Sequence, residues 1–366
     1  MRSRPRGWVA RNVVDGLVAL AVLLGSVWVV PRGLSSPSEP ARPATSASTA
    51  PPPTTLPTVA GTAAVSTTQV QPSAVVSRVR IDGFAEGLAF GADSLWIAAG
   101  DRLLRLDPAT DRVTASIPVA QQDSGPAGLA FGAGAVWVPV AVPGSIWRVD
   151  PGSNKIVARI PLGESLAGFI GIAASDSAVW ITSGEQQDGE RGGVLFRVDP
   201  RRNRVTARLP LPGVPSDVAA NRESVWIATT SGQVLVVEPG RGRIVGAVQT
   251  GGPLGFTQTV AVWAGMGAVW LADPLAKVVL RVDPSSLRVM ASIATGPVTA
   301  LTVGNGAVWA VGPLGIQRID PASNRVVATL PAAELNGVLM VTTGAGWLWA
   351  GGADQVAKVD PKRIRA

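Results

Sequence analysis

The chain has 366 residues, 16% of them charged, and a formal net charge of +7. It contains no histidine, cysteine or tyrosine, which excludes Ser-His and thiolate catalysis, histidine-based zinc sites and haem attachment through C-x-x-C-H. Its lysines and arginines are spread along the chain instead of gathered in a run, so nucleic acid is not an expected partner.

At the N-terminus Arg2, Arg4, Arg6 and Arg11 precede an uncharged run from Gly16 to Val30, flanked by Trp8 and Trp28. Fifteen helical residues span only about 22 Å, so a membrane crossing must draw in Val13, Val14 and a snorkelling Asp15. The competing reading is a cleaved signal peptide, but no small-x-small pattern follows directly. Residues 1–34 are therefore expected to form a signal anchor, a single transmembrane helix with the arginines inside. Residues 35–74, rich in Pro, Ser, Thr and Ala, are expected to be a disordered linker reaching on the order of 100 Å if extended.

From residue 75 to 366 one cassette recurs. Trp96, Trp137, Trp180, Trp226, Trp270, Trp309 and Trp349 stand 39 to 46 residues apart. Each is followed by an acid and a proline: Asp107, Asp150, Asp199, Glu238, Asp283, Asp320 and Asp360 with their following Pro. A strand-rich repeat with a period near 40 residues is the signature of sheets arranged radially, each burying its faces against its neighbours. The fold class expected is all-β, a seven-bladed β-propeller carrying the N-terminal transmembrane helix and linker.

Four strands are predicted per blade, in the first Gly87 to Gly91, Ser94 to Ala98, Leu103 to Asp107 and Arg112 to Ile117. Triplets such as Gly132-Ala133-Gly134, Gly265-Met266-Gly267 and Gly304-Asn305-Gly306 supply tight hairpin turns between the first two strands. The Asp-Pro pairs form turns before the fourth strand, with Asp accepting backbone N–H bonds. Two residues before each acid stand Arg105, Arg148, Arg197, Arg281, Arg318 and Lys358, with Val236 breaking the pattern; they are expected to stand exposed or to pair with a neighbouring blade. The seven tryptophans are expected to pack between blades, and Trp147, Trp263 and Trp347, outside the register, are candidates for an exposed aromatic contact. The last cassette lacks its fourth strand, and Val75 to Ile81 matches it, so that N-terminal strand should close the ring.

In this strand order the loops from fourth to first strand and from second to third share one face. That face collects acids, and Asp123, Glu164, Glu185, Asp188, Glu190, Asp273 and Asp354 are the candidate ligand-binding residues. No catalytic residue is assigned. The opposite face takes Arg201, Arg202, Arg204, Arg241, Arg243, Lys362, Arg363 and Arg365. No organic cofactor is implied; a divalent cation held by carboxylates is the one left open.

The element V-W-(I/V)-A … R-(V/I)-D-P-x-(T/S)-N-x-V-x-A-x-(I/L)-P resembles YVTN/NHL-type propeller repeats and, in its Trp position and R-(V/I)-D step, streptogramin (virginiamycin B) lyase-like propellers. The resemblance covers roughly Val75 to Asp360 and implies the propeller fold. The lyase likeness implies C–O bond cleavage by a histidine acid/base beside magnesium; with no histidine in the chain that residue cannot be carried over, and a carboxylate or lysine would have to replace it. The chain lacks the Trp-Asp strand ending of WD40 repeats. The resulting expectation is a monomeric, membrane-anchored, extracytoplasmic propeller that binds a protein or envelope ligand without catalysis. The alternative is a metal-dependent streptogramin-lyase-like or lactonase-like enzyme.

Overall fold

The computed structural model describes residues 73–119, 126–184, 186–187, 190–250 and 261–365, with only the backbone given for residues 186, 187, 190 and 191. The expected anchor and almost all of the expected linker lie outside the described residues. Among the described residues no helix is long and apolar enough to cross a membrane.

Seven four-stranded antiparallel sheets make up the body. In the first, β2 (Ala85–Gly91), β3 (Ser94–Ala99), β4 (Arg102–Asp107) and β5 (Arg112–Pro118) follow one another as a meander. The predicted strands are each found, extended by one or two residues. The innermost strands of successive sheets touch in turn, and that of the seventh (Met340–Gly344) touches β2, so the ring is closed. An extra two-stranded ribbon, Gln186–Gln187 with Glu190–Arg191, projects from the third blade.

Closure follows the predicted route. Strand β1 (Val75–Arg80) pairs antiparallel with Gln355–Val359, supplying the outer strand of the seventh sheet. A meander of this kind otherwise leaves its last sheet one strand short and its edge unpaired.

The core consists of seven clusters, one at each seam between sheets. Each takes one cassette tryptophan from the preceding blade and the apolar strands of the next: Trp96 packs with Val136 and Val138, Trp137 with Val179 and Ile181, and so on around to Trp349 with Leu95 and Ile97. All seven tryptophans are buried. Full burial of an indole removes about 150–250 Å² from water, so each seam is held chiefly by one large side chain.

The Gly-rich turns divide their labour. The second glycine (Gly134, Gly267, Gly306) and the residue before it adopt positive φ, as the hairpin requires. The first does something else: a Cβ at Gly91 would lie 2.1 Å from the Phe131 ring, and one at Gly344 would lie 1.9 Å from Phe90. Glycine is needed there because the inner strands converge on the axis.

Deleting Val75–Asp82 should lower the melting temperature by more than 10 °C, because it strips an edge strand from one sheet of a closed ring. Thermal denaturation followed by circular dichroism measures this, and an unchanged melt would contradict the closure.

Candidate functional site

The polar residues that recur in every cassette are used within the ring. Each cation before the acid lies across from the cassette tryptophan of its own blade, as in Trp96 with Arg105 and Trp270 with Arg281. Its charged head sits over that indole, 5.2 Å from the centroid for Arg105 and 5.5 Å for Arg281. In four blades it then reaches the Asp-Pro turn of the next blade. Arg105 Nη1 donates to Pro151 O at 2.6 Å and to Asn154 Oδ1 at 3.0 Å. Arg148 does the same with Pro200 and Asn203, and Arg281 with Pro321 and Asn324. Across the closing seam Lys358 Nζ donates to Pro108 O at 2.6 Å and pairs with Asp111 at 2.9 Å, although the lysine is only 6% exposed. The expectation of pairing with a neighbouring blade describes these four, and none of the four is freely exposed.

The exceptions obey the same logic. The clamp needs an oxygen four residues after the turn acid, and three turns place Gly242, Leu287 or Ile364 there instead. Facing Gly242, Arg197 turns back to Thr206 of its own blade. Facing Leu287 is Val236, and the two join one apolar cluster. Leu287 holds φ of 58°, a conformation unusual for a leucine, so burial against the fourth blade offsets local strain. Ile364 is buried in the sixth seam, where Arg318 stacks on Trp309 and leaves its Nε without a partner.

The turn acids are likewise structural. Asp107, Asp150, Asp283 and Asp320 accept backbone N–H or hydroxyl bonds from the following residues, and those bonds hold their carboxyls below the usual range. The Arg202 side chain and backbone draw Asp199 down to about 2.

On the loop-rich face the predicted binding residues do not converge. Asp123, Glu185 and Asp188 lie outside the described residues, as does the side chain of Glu190. Glu164 is gripped by Arg208, with contacts of 2.8 to 3.0 Å to both carboxylate oxygens. Asp273 is buried and accepts from Ala276 N in its own turn. Asp354 is exposed, and its carbonyl holds Ile81 of the closing strand. Among the described residues no three carboxylates gather as a metal site. Of the out-of-register tryptophans, only Trp263 stands exposed, at 38%. Trp147 is buried, donating to Ser145 Oγ beneath Arg159, and Trp347 is partly buried under Lys358. Neither matches the exposed contact expected, because each packs against its neighbours.

Two acids on innermost strands stand out instead. Asp217 occupies the position of Gly87, Gly171 and Ala300 in other blades, and its oxygens accept from Val218 N at 2.8 Å and from Val262 N of the next blade at 2.9 Å. Burial raises its carboxyl to about 6 against those two bonds. Glu86 sits at the irregular step between Ala85 and Gly87, where burial raises it to about 7. Setting the repeats in register exposes Asp217 as a charged residue among small ones; nothing in Glu86's neighbours in sequence marks its burial.

A folded-state pKa above the unfolded one means that the native chain holds a proton the unfolded chain releases. The stability Glu86 contributes is therefore complete below about pH 4.5 and lost as pH rises through about 7. Glu86→Gln should match the wild type near pH 4.5 and exceed it by about 1–3 kcal/mol at pH 8, measured by denaturant unfolding. At the clamp, Arg281→Val and Asn324→Leu should each destabilise by about 1–3 kcal/mol, while the double variant, which copies the Val236–Leu287 seam, should recover at least half of the summed loss. Strict additivity would show that the two residues do not cooperate.

Scans against protein-family models and against curated proteins find no match for this chain. Among solved structures it is similar to the Neurospora crassa Pan2 WD40 domain, at 14% identity and a TM-score of 0.60, covering 77% of this chain and 91% of that one. It is also similar to a chain in the crystal structure of the mitotic checkpoint complex, at 11% identity and a TM-score of 0.66, covering 84% and 99%. At such identities the likeness is one of fold, reached without the WD40 sequence signature: the chain is a seven-bladed β-propeller with WD40-like structural neighbours.

Proposed function

We propose that the chain is a non-catalytic binding module, a propeller tethered to a membrane by its N-terminal segment and presenting its loop-rich face to a protein or envelope ligand outside the cell. The observation that carries this reading is that the cassette's repeated tryptophans, cations and turn acids are engaged inside the ring. What differs from blade to blade is then free for recognition, which is how propellers commonly serve as protein-binding scaffolds. The resemblance of the cassette to YVTN/NHL-type repeats accords with this.

Glu86 favours a second reading, a metal-dependent lyase- or lactonase-like enzyme. In a chain without histidine, a carboxyl titrating near neutrality is the group suited to moving a proton. The two readings differ in their need for a cation. A thermal-shift titration with Mg²⁺ and Ca²⁺ should give no saturable shift for a binding module. A ligand at 100 times its dissociation constant adds about 2.7 kcal/mol. A saturable shift abolished by neutralising Glu185, Asp188 and Glu190 would favour the enzyme.

A further inference from the structure

The outer strand of five blades opens on a cation immediately after the Asp-Pro or Glu-Pro turn, Arg112, Lys155, Arg204, Arg243 and Arg325, and in a sixth Arg288 directly precedes the strand at the same repeat position. All six are exposed. Of these six, only Arg243 makes an ion pair among the described residues, with Glu238 at 3.2 Å. The turn acids beside the others each spend at least one carboxylate oxygen on their own turns. In the seventh blade the strand opens on Val75, and the adjoining turn brings exposed Lys362 to the same face.

Equivalent positions in a closed ring lie in one plane at right angles to its axis, so these cations form a flat rim. A flat anionic surface can meet all of them at once, whereas a linear polymer or a small globular partner meets only neighbours. The chain also enters the described body on this face, since Ala74 O accepts from Asp360 N in the seventh Asp-Pro turn at 2.8 Å.

We propose that this basic rim docks against the anionic lipid headgroups of the membrane that holds the N-terminal segment, turning the loop-rich face outward. This rests on the membrane-anchored reading for its setting, but the docking itself needs only lipid charge. It gives the linker a second role, since a tether long enough to let the propeller wander would be overruled by electrostatic seating.

The absence of cysteine permits single labels. In the full-length chain, Ala109→Cys marks an Asp-Pro turn and Asp101→Cys marks the opposite face. Energy transfer from each label to an acceptor lipid is measured on vesicles of phosphatidylcholine alone and on vesicles containing 30% phosphatidylglycerol. On the charged vesicles the Ala109→Cys label should transfer at least twofold more than the Asp101→Cys label, and the difference should vanish in 0.5 M NaCl. Replacing Arg112, Arg204, Arg288 and Arg325 with Gln should abolish the difference, and replacing them with Lys should keep it, which separates lost charge from a damaged fold. Equal transfer from both labels on charged vesicles, an unaffected Gln variant, or rim-dependent binding of polyphosphate without any response to lipid charge would each overturn the proposal. Failure to associate with neutral vesicles while the charge-dependent difference persists would remove the anchor and leave the docking standing.

Discussion

At four of the seven seams the order of the blades depends on a cation shared between two of them. A guanidinium or ammonium lies over the indole of its own sheet and gives its protons to a carbonyl and a side-chain oxygen in the next turn. Stacking supplies an attraction that strengthens away from water, and the two acceptors satisfy donors that would be costly to bury unpaired. The same residue therefore positions the tryptophan that fills the seam and fixes the neighbouring blade at the correct angle. Around the ring the apolar clusters provide most of the favourable free energy, but they are non-directional. The clamp provides the direction.

Departures from the pattern show what the clamp requires. Where the acceptor is missing, as at Gly242, the arginine retreats to its own sheet. Where both partners are apolar, as at Val236 and Leu287, a small hydrophobic contact takes over, and the seam survives even though Trp226 leaves its Nε1 without an acceptor. Replacing both members of a buried polar pair is tolerated far better than removing one. The fourth blade has made that exchange.

Much of this was legible in the sequence, for physical reasons. The Trp period, the Asp-Pro turns and the displaced last strand all follow from local rules of strand, turn and edge, and each reappears in the structure. The arginines were visible as a pattern, but their partners were not, because the acceptor lies 40 to 55 residues further along the chain. Trp147 could not be told from Trp263 by position: both fall outside the register, and only packing against Ser145 and Arg159 buries the first. Nothing in the sequence reveals that Arg208 occupies Glu164 or that Asp273 is consumed by its turn. Glu86 carries no mark of its burial in the sequence, because that burial arises only when the chain folds around the irregular step between Ala85 and Gly87.

A body closed in this way suits recognition. Its repeated tryptophans are buried and its clamp cations are spent inside the ring. The claim that a shared cation holds the blades in order is tested most directly at the closing seam. A double-mutant cycle with Lys358→Met and Asp111→Asn, read by equilibrium unfolding, should give a coupling energy of about 2 kcal/mol or more. The exposed Arg208–Glu164 pair, treated the same way, should give less than about 1 kcal/mol. A coupling at the seam no larger than that of the surface pair would contradict the account.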